Sequence, residues 1–464
     1  QKFSAEATVE PLAAYRALKE IPLLVLQVLS VMTKYPCINS MWETDVLSVI
    51  LLNYRKYESV DFVLASCTIM DAFSVEASYA DALVMNEVPA AVLSMMKQYA
   101  GETEVVHRCV RIVSNLLQFV SIVSTQLEEM LGIATQSVKE SSCSEEAMID
   151  TFALYRNAAK NPADYAGLIC NQNVVATTVA LLQCNLRKKV VASAALAALV
   201  ALTVPTDSHL QMATKEGMKT TQDVMSTYEK TALDLYTNAL EILDNLALNP
   251  SMTYSVLTAE VVKRALEAVT VLRSEEKYLV VALSLITRLQ DLDGKKRFEK
   301  DLLSDRVVET CLFALQTYSG ARTIHFCCVL LLRAMQDAKR KSTILTESTV
   351  AKLVELLTSQ REDEDVCGDL LDVLVFCAEG DKKTLLQNKD VAVPTNEIIK
   401  KYYHSQSLVE KCLSLLSMLS SLGDLNIQQI LSSMTDYPSS SNVQRDALAT
   451  LGCFLRANTK NAAV

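Results

Sequence analysis

The feature that most constrains this chain is a repeat with a period near 43 residues. Short apolar segments that open a helix recur at intervals of 42 to 46 residues. Their first residues are Val46, Val88, Leu131, Val174, Met218, Val261, Val307, Val350 and Val393, and a tenth, shorter unit begins near Ile427. A unit of this size cannot bury its own apolar face and must stack on its neighbours. The chain should therefore fold as a solenoid.

Proline marks the same unit boundaries independently. Pro162, Pro205 and Pro250 are 43 and 45 residues apart, and each follows the start of its unit by 31 or 32 residues. Proline ends helices because it lacks the backbone donor and clashes with the preceding turn. Pro89 and Pro394 directly follow the starts of their units, a position suited to the first turn of a helix. We therefore place one unit between successive boundaries.

Each unit is predicted to contain a helix of about 12 residues, a short polar loop and a longer helix. Examples of the longer helix are Glu104–Val120, Glu276–Leu292 and Ser407–Ser421, in which apolar residues recur three and four positions apart. Composition agrees, because 6% aromatic residues, 10 Gly and 9 Pro are too few for a protein built from many tight β-turns. The sequence predicts an all-α fold.

The length of 464 residues exceeds what one compact core supports, which again favours an array of repeats. Residues 45–464 are predicted to form this array. Residues 1–44 are predicted to form N-terminal capping helices, because Pro11, Pro22 and Pro36 interrupt the pattern and an end repeat lacks one neighbour.

Charge and cysteine content restrict the partners and the compartment. A net charge of −10 argues against a generic nucleic-acid binder, since phosphate contacts require a surplus of basic residues. The 13 cysteines include no C-x-x-C pair and suggest reduced thiols in a cytoplasmic protein. The most apolar run, Val190–Val204, is shorter than the ~20 residues that cross a bilayer. We interpret it as a core helix and expect no membrane span.

Two segments resemble the armadillo repeat. VPAAVLSMM, Val88–Met96, is similar to the second helix of that family, and ALEILDNLALNP, Ala239–Pro250, is similar to the end of its third helix. HEAT repeats share the same range of lengths and remain an alternative. The resemblance covers residues 45–464 and implies a right-handed α-α superhelix of about ten repeats, an armadillo- or HEAT-type solenoid.

In the armadillo family the third helices line a concave groove, where an asparagine can bind the backbone of an extended peptide. On a helical projection, Asn245 lies beside the apolar stripe of its helix. By their similar distance from the start of each unit, the candidate partner-binding groove residues are Asn115, Asn157, Asn245, Arg288 and Arg333. The alternative is that Asn245 satisfies a backbone group between units. Trp42 is the single tryptophan, which argues against cargo binding of the importin-α type.

Basic clusters recur in step with the repeat. Lys295, Lys296 and Arg297 are followed 44 residues later by Lys339, Arg340 and Lys341, and Lys382 and Lys383 follow at a further 43 residues. The three clusters should therefore occupy equivalent loops and form a basic edge. Such an edge would attract an acidic tail or a tubulin-like surface over a Debye length of about 8 Å. A solvated rim with acidic neighbours is the alternative.

No catalytic or metal-binding constellation stands out. The acidic run Glu362 to Asp365 opens a predicted third helix, where carboxylates are stabilised by the helix dipole. His325, Cys327 and Cys328 lack the second pair of ligands that a closed zinc site needs, so we expect them to be buried helix residues. We therefore predict that the chain is not an enzyme and requires no cofactor or metal.

The function predicted from these observations is a non-catalytic scaffold or adaptor that binds partner segments along its groove. Its partners would be other proteins, as extended segments or assembly subunits, with no nucleic acid and no small-molecule substrate. One alternative is a structural component of a large ciliary or cytoskeletal assembly. Another is the regulatory repeat region of a larger enzyme.

Overall fold

The computed structural model describes residues 20–34, 38–57, 59–139, 143–229, 231–379, 383–419 and 427–462. Over these ranges the chain is an all-α solenoid without a β-strand, which confirms the predicted fold class. It divides into two compact units, Gln1–Val256 and Leu257–Val464. Of the predicted cap, residues 1–19 and 35–37 lie outside the described residues.

The first unit is built from helices that follow each other along the chain with short connections. In chain order they are α1 (Glu20–Met32), α2 (Ile38–Glu43), α3 (Val46–Asn53), α4 (Val60–Ser74), α5 (Ala77–Met85), α6 (Val88–Gln98), α7 (Thr103–Leu116), α8 (Ser124–Lys139), α9 (Glu145–Ala159), α10 (Pro162–Asn171), α11 (Val174–Cys184), α12 (Lys189–Leu202), α13 (His209–Met212), α14 (Lys215–Tyr228), α15 (Leu233–Ala247) and α16 (Thr253–Val256). Short 3-10 turns, Thr206–Ser208 and Pro250–Met252, lead into α13 and α16.

The second unit continues the same alternation of short and long helices. Its helices are α17 (Ala259–Val271), α18 (Glu276–Leu292), α19 (Glu299–Leu302), α20 (Asp305–Thr317), α21 (Ala321–Ala334), α22 (Ala338–Ile344), α23 (Glu347–Ser359), α24 (Glu364–Ala378), α25 (Lys383–Asn388), α26 (Ala392–Lys401), α27 (Gln406–Leu419), α28 (Ile427–Asp436) and α29 (Ser441–Ala462).

The long third helices form the centre of each unit. In the first unit α4, α7, α9, α12 and α15 pack in sequence, each against the next. In the second unit α18, α21, α24, α27 and α29 do the same. Each helix therefore buries its apolar stripe against its sequence neighbours, as expected for a solenoid whose repeats contact only the adjoining repeats.

Helix α15 shows how the sequence pattern produces this burial. Leu235, Ala239, Ile242, Leu243 and Leu246 recur at helical spacing, and all five are completely buried. Burying one such leucine or isoleucine side chain contributes about 1.5–3 kcal/mol. The stripe predicted from the sequence is thus the core-facing side of the helix.

Most predicted unit starts lie at or near the first turn of a second helix. Val46, Val88 and Val174 are the first residues of α3, α6 and α11. Leu131 is different, because it lies in the middle of α8, which begins at Ser124. Here the segment continues as one helix through Leu131, and no residue in the left-handed backbone region interrupts it. The prediction of a helix start at Leu131 was wrong.

Three second helices begin after a residue in the left-handed backbone region. Asp45, Glu87 and Asn173 have φ values of 57°, 59° and 52° and directly precede α3, α6 and α11. A left-handed residue reverses the chain abruptly between two helices without a long loop. None of the three is glycine, but Asp45 and Asn173 belong to the residue types that adopt this conformation most readily after glycine.

No single described helix is long and apolar enough to cross a membrane. Two bent helix pairs pass the length and composition test together: Tyr165–Asn171 with Val174–Cys184, and Lys189–Leu202 with Thr206–Met212. Helix α12, which contains most of the apolar run Val190–Val204, buries Val191, Ala195 and Leu199.

Candidate functional site

The predicted groove residue Asn245 joins two neighbouring long helices. Its Nδ2 on α15 donates to the carbonyl oxygen of Val200 at 3.3 Å and to Thr203 Oγ1 at 3.1 Å, both in or next to α12. The side chain is half-buried. The amide nitrogen therefore donates hydrogen bonds to polar groups of the preceding repeat. This is the structural role that the sequence analysis gave as the alternative to groove binding.

Asn157 and Asn115 make the same kind of contact in earlier repeats. Asn157 Nδ2 on α9 donates to Ser114 O at 2.9 Å, and this asparagine is only 1% exposed. Asn115 Nδ2 on α7 donates to Asp71 Oδ1 at 3.0 Å and Ser74 Oγ at 3.1 Å. The three asparagines thus form a ladder of bonds in the first unit, whose rungs join α4 to α7, α7 to α9 and α12 to α15.

The two predicted arginines lie on long helices of the second unit. Arg333 Nη2 on α21 pairs with Asp291 Oδ1 at 2.7 Å, and its Nη1 donates to Gln290 Oε1 at 2.9 Å. Arg288 Nε donates to Ser284 Oγ within α18 at 3.2 Å. Arg333 therefore joins neighbouring repeats as the asparagines do. That these five residues bind a partner stays a prediction.

A second ladder, which the sequence analysis missed, connects the ends of the second helices to the preceding repeat. Tyrosine hydroxyls donate to backbone carbonyl oxygens 41 to 45 residues earlier: Tyr228 to Leu186 at 2.6 Å, Tyr318 to Arg273 at 2.8 Å and Tyr402 to Arg361 at 3.2 Å. Tyrosine at the end of the second helices α14, α20 and α26 was the available signal. These bonds satisfy loop carbonyls that would otherwise lose hydrogen bonds to water.

The basic edge is only partly available to a partner. Lys296 Nζ pairs with Glu299 at 2.9 Å, Arg340 contacts the Leu303 carbonyl oxygen and Lys341 Nζ lies 4.1 Å from the centre of the Phe376 ring. Arg297 lies near Asp293 and Phe298. Lys295 and Lys339 are exposed, and in the described ranges neither has an ion-pair partner.

The structure places the first of the three basic clusters in a loop, as predicted, but not the second, and Lys382 of the third lies outside the described residues. Lys295 to Arg297 lie in the loop after α18, as expected. Lys339 to Lys341 lie in the short helix α22 rather than in a loop, because Asp337 accepts a hydrogen bond from the Lys339 backbone nitrogen at 2.9 Å and caps this helix.

The second unit contains an open cleft of about 520 Å³ at the amino-terminal ends of three successive long helices, α21, α24 and α27. Residues from all three helices line it, although they are far apart in the sequence. Its lining side chains include Arg322, His325, Phe326, Glu364, Asp365, Val366, Asp369, Leu408 and Lys411. We call this site the three-helix cleft.

Two polar pairs hold the wall of the three-helix cleft together. His325 Nδ1 on α21 lies 2.7 Å from Asp369 Oδ2 on α24. Lys411 Nζ on α27 lies 2.7 Å from Asp372 Oδ2 and donates to Gly368 O at 3.2 Å. Burial raises the pKa of Asp369, and the hydrogen bond with His325 acts in the opposite direction. These pairs fix the three helices relative to one another.

Other charged groups of the cleft have no ion-pair partner among the described residues. Arg322, Glu364 and Asp365 are exposed, and none has an ion-pair partner in the part of the second unit that the structure describes. Asp363 caps α24, because its Oδ1 accepts a hydrogen bond from the Val366 backbone nitrogen at 3.1 Å. Only part of the acidic run is therefore explained by helix capping.

The expectation for His325, Cys327 and Cys328 was half correct. Both cysteines are completely buried in α21. His325 is not, because 48% of its side chain is exposed, and it faces the cleft wall beside Asp369. Among the described residues no group of three or more histidine, cysteine or acidic side chains is arranged to hold a metal ion.

Comparison with solved structures places the fold. One chain comes from work on a phosphorylation switch that controls the interaction between cadherin and β-catenin; it aligns with a TM-score of 0.64 at 13% identity, over 97% of this chain and 94% of that chain. An engineered protein from the Northeast Structural Genomics Consortium aligns with a TM-score of 0.56 at 13% identity, over 97% and 98%. No protein-family model matches the chain, and neither does any curated protein. The likeness shows a shared all-α solenoid fold.

Proposed function

We propose that this chain is an armadillo-type scaffold that acts by binding an extended segment of a partner protein along its long helices. The observation that carries the proposal is the three-helix cleft, which is open and spans three successive repeats. Ligand sites are typically concave, with an apolar lining and a few polar groups that fix orientation. The similar structure from the cadherin and β-catenin work also concerns binding between proteins.

The proposal assigns binding rather than catalysis to this site. The titratable groups of the cleft wall are joined in pairs, His325 with Asp369 and Lys411 with Asp372, across neighbouring helices. Such pairs position helices and keep a binding surface rigid. We place the protein in the cytoplasm because of its scattered thiol cysteines.

A site-specific photo-crosslinker tests the proposal. It is introduced at Ser407, which is exposed at the cleft, and in a matched variant at Glu355, which is exposed on the second helix α23. We expect a crosslink to one segment of a partner protein from Ser407 and not from Glu355. A synthetic peptide of that segment should then bind the purified protein. Equal crosslinking at both positions, or a peptide that does not bind, would contradict the proposal.

A second candidate function is that of a structural component of a cytoskeletal or ciliary assembly. The exposed Lys295 and Lys339 favour it, because they leave positive charge for an acidic surface. Gradient sedimentation in native extract should then show a large particle. The double substitution Lys295→Glu and Lys339→Glu should release the protein from this particle, and the effect should be larger at low salt than at high salt. Sedimentation as a small species at all salt concentrations would exclude this function.

A further inference from the structure

Three sulfur atoms meet inside the first unit, where the long helices α4 and α7 lie against the second helix α6. Cys67 Sγ on α4 lies 3.8 Å from Cys109 Sγ on α7 and 3.9 Å from Met95 Sδ on α6. All three side chains are completely buried, and both cysteines are free thiols. The contact therefore brings together two thiols that belong to successive repeats.

The two thiols are close enough to be joined. In a disulfide the sulfur atoms lie about 2.05 Å apart, so the two Sγ atoms would have to approach by about 1.8 Å. Rotation about the two Cα–Cβ bonds changes this distance while α4 and α7 stay packed. Met95, which contacts Cys67, is unbranched and adapts to small changes in the space around it. A disulfide therefore fits this contact with little movement of the helices.

Burial determines when the thiols react. The thiolate rather than the thiol reacts with oxidants, and the hydrogen bond with Cys67 together with burial raises the pKa of Cys109. The closed repeats therefore keep both groups as unreactive thiols. Each repeat of a solenoid contacts only its neighbours, so an interface between two repeats can open locally while the others stay folded. Opening between α4 and α7 would bring both thiols into water, where they ionise.

We propose that Cys67 and Cys109 are a modification site, at which a peroxide converts two thiols into a disulfide that links successive repeats. The thiolate of one cysteine attacks a peroxide oxygen, the O–O bond breaks, and a sulfenic acid forms as water or an alcohol leaves. The second thiol attacks the sulfenic sulfur, the S–O bond breaks, and water leaves as the S–S bond forms. With hydrogen peroxide, the two thiols thus lose two electrons and two protons, and the peroxide becomes two molecules of water.

The disulfide would restrain the first unit. It joins residues 42 positions apart and closes a loop that contains α5 and α6. A covalent bond across such a loop limits the unfolded chain and stabilises the closed repeats. In a reducing compartment the bond would last only during oxidative exposure, because cellular thiols reverse it. The inference goes beyond the proposed function, since it concerns the first unit and not the three-helix cleft of the second.

Peptide mapping of the full chain tests the modification site without a variant. The protein is treated with hydrogen peroxide, blocked with N-ethylmaleimide and digested without reductant. Oxidation of the exposed Cys184 shows that the oxidant has acted. We expect the peptides of Cys67 and Cys109 to be linked to each other, and the linked species to accumulate faster in urea below the unfolding transition. Linkage of Cys67 mainly to other cysteines, no linkage even in urea, or a rate independent of urea would overturn the inference.

Thermal melting measures the restraint. Hydrogen peroxide should raise the melting temperature of the wild type by about 5 °C or more, as expected for a disulfide across a loop of this size. Cys67→Ser should abolish this rise. Cys377→Ser is the matched control and should keep the rise, because Cys377 is also completely buried but has no hydrogen bond with another cysteine among the described residues. An equal rise in Cys67→Ser, or a linked protein that melts no higher than the reduced one, would overturn the inference.

Discussion

Asn245 connects two repeats through one amide group. Its nitrogen bonds to Val200 and Thr203 of the preceding repeat, while the half-buried side chain still reaches the surface of the long helices. Because the Asn245 amide nitrogen already donates hydrogen bonds within the protein, it is less available to donate to a partner. The structural role is therefore the first one to measure.

We expect Asn245→Ala to lower the free energy of unfolding by about 1 kcal/mol, the net value of a typical hydrogen bond. Asn238→Ala is the matched control on the same helix, because the Asn238 amide makes no hydrogen bond to the described residues. Urea denaturation followed by circular dichroism measures both variants. Equal stability of the two variants would show that the bonds of Asn245 contribute little, and would favour its role in the groove.

His107 and Asp150 form a partly buried pair between α7 and α9. His107 Nε2 lies 2.6 Å from Asp150 Oδ2. The hydrogen bond with Asp150 raises the pKa of His107 above its ordinary value of 6.5, and it outweighs burial, which acts in the opposite direction. The charged imidazolium is thus favoured in the folded protein.

Because the folded pKa of His107 is raised, its contribution to stability is complete below the unfolded pKa and is lost as the pH rises through the folded value. We expect the stability difference between the wild type and His107→Gln to be larger at about pH 5.5 than at about pH 8.5. Urea denaturation at both pH values measures it. Asp150→Asn should remove most of this pH dependence, and a difference that does not change with pH would refute the assignment.

At the scale of helices, two glycines illustrate opposite constraints. Gly217 lies in the first turn of α14, where a methyl group would overlap the backbone carbonyl oxygen of Met212. Gly167 lies within α10, and a methyl group there would meet only open space. Glycine is required at position 217 because the Met212 carbonyl oxygen lies too close for a side chain, whereas no neighbouring atom requires glycine at position 167.

We expect Gly217→Ala to destabilise the protein by about 1–3 kcal/mol, because the chain at Met212 must shift to make room. Gly167→Ala should instead stabilise it by about 0.5–1 kcal/mol, since alanine is the better helix former. Thermal melting of both variants tests the pair. A stabilising Gly217→Ala would show that α14 relaxes freely against the preceding turn.

The helices were predictable to different degrees. The bounds predicted for Glu276–Leu292 are those of α18, because a long amphipathic pattern ends at a polar loop on both sides. The helix start predicted at Leu131 was wrong, because α8 has no left-handed residue there to separate two helices. The short helices α13, α16 and α19 were not predicted, since four residues show no clear periodicity.

The contacts between repeats could not be read from the sequence. The position of Asn245 beside its apolar stripe was predictable from helical spacing, but its bonds to Val200 and Thr203 depend on how neighbouring helices pack. The three-helix cleft was missed for the same reason. It combines residues near His325, Glu364 and Leu408, each about 40 residues from the next.

For the molecule as a whole, the ladders of asparagine and tyrosine bonds have a mechanical consequence. Within the second unit the rungs are the bonds of Tyr318 and Tyr402, each of which joins one repeat to the preceding repeat, so a tensile force would load them one after another. Each repeat that yields should release about 43 residues, or about 150 Å of extended chain. Optical-tweezer traces should show steps of that length, and Tyr318→Phe should lower the force of one of them. The second unit would then act as an extensible tether to whose resistance single hydroxyl groups contribute.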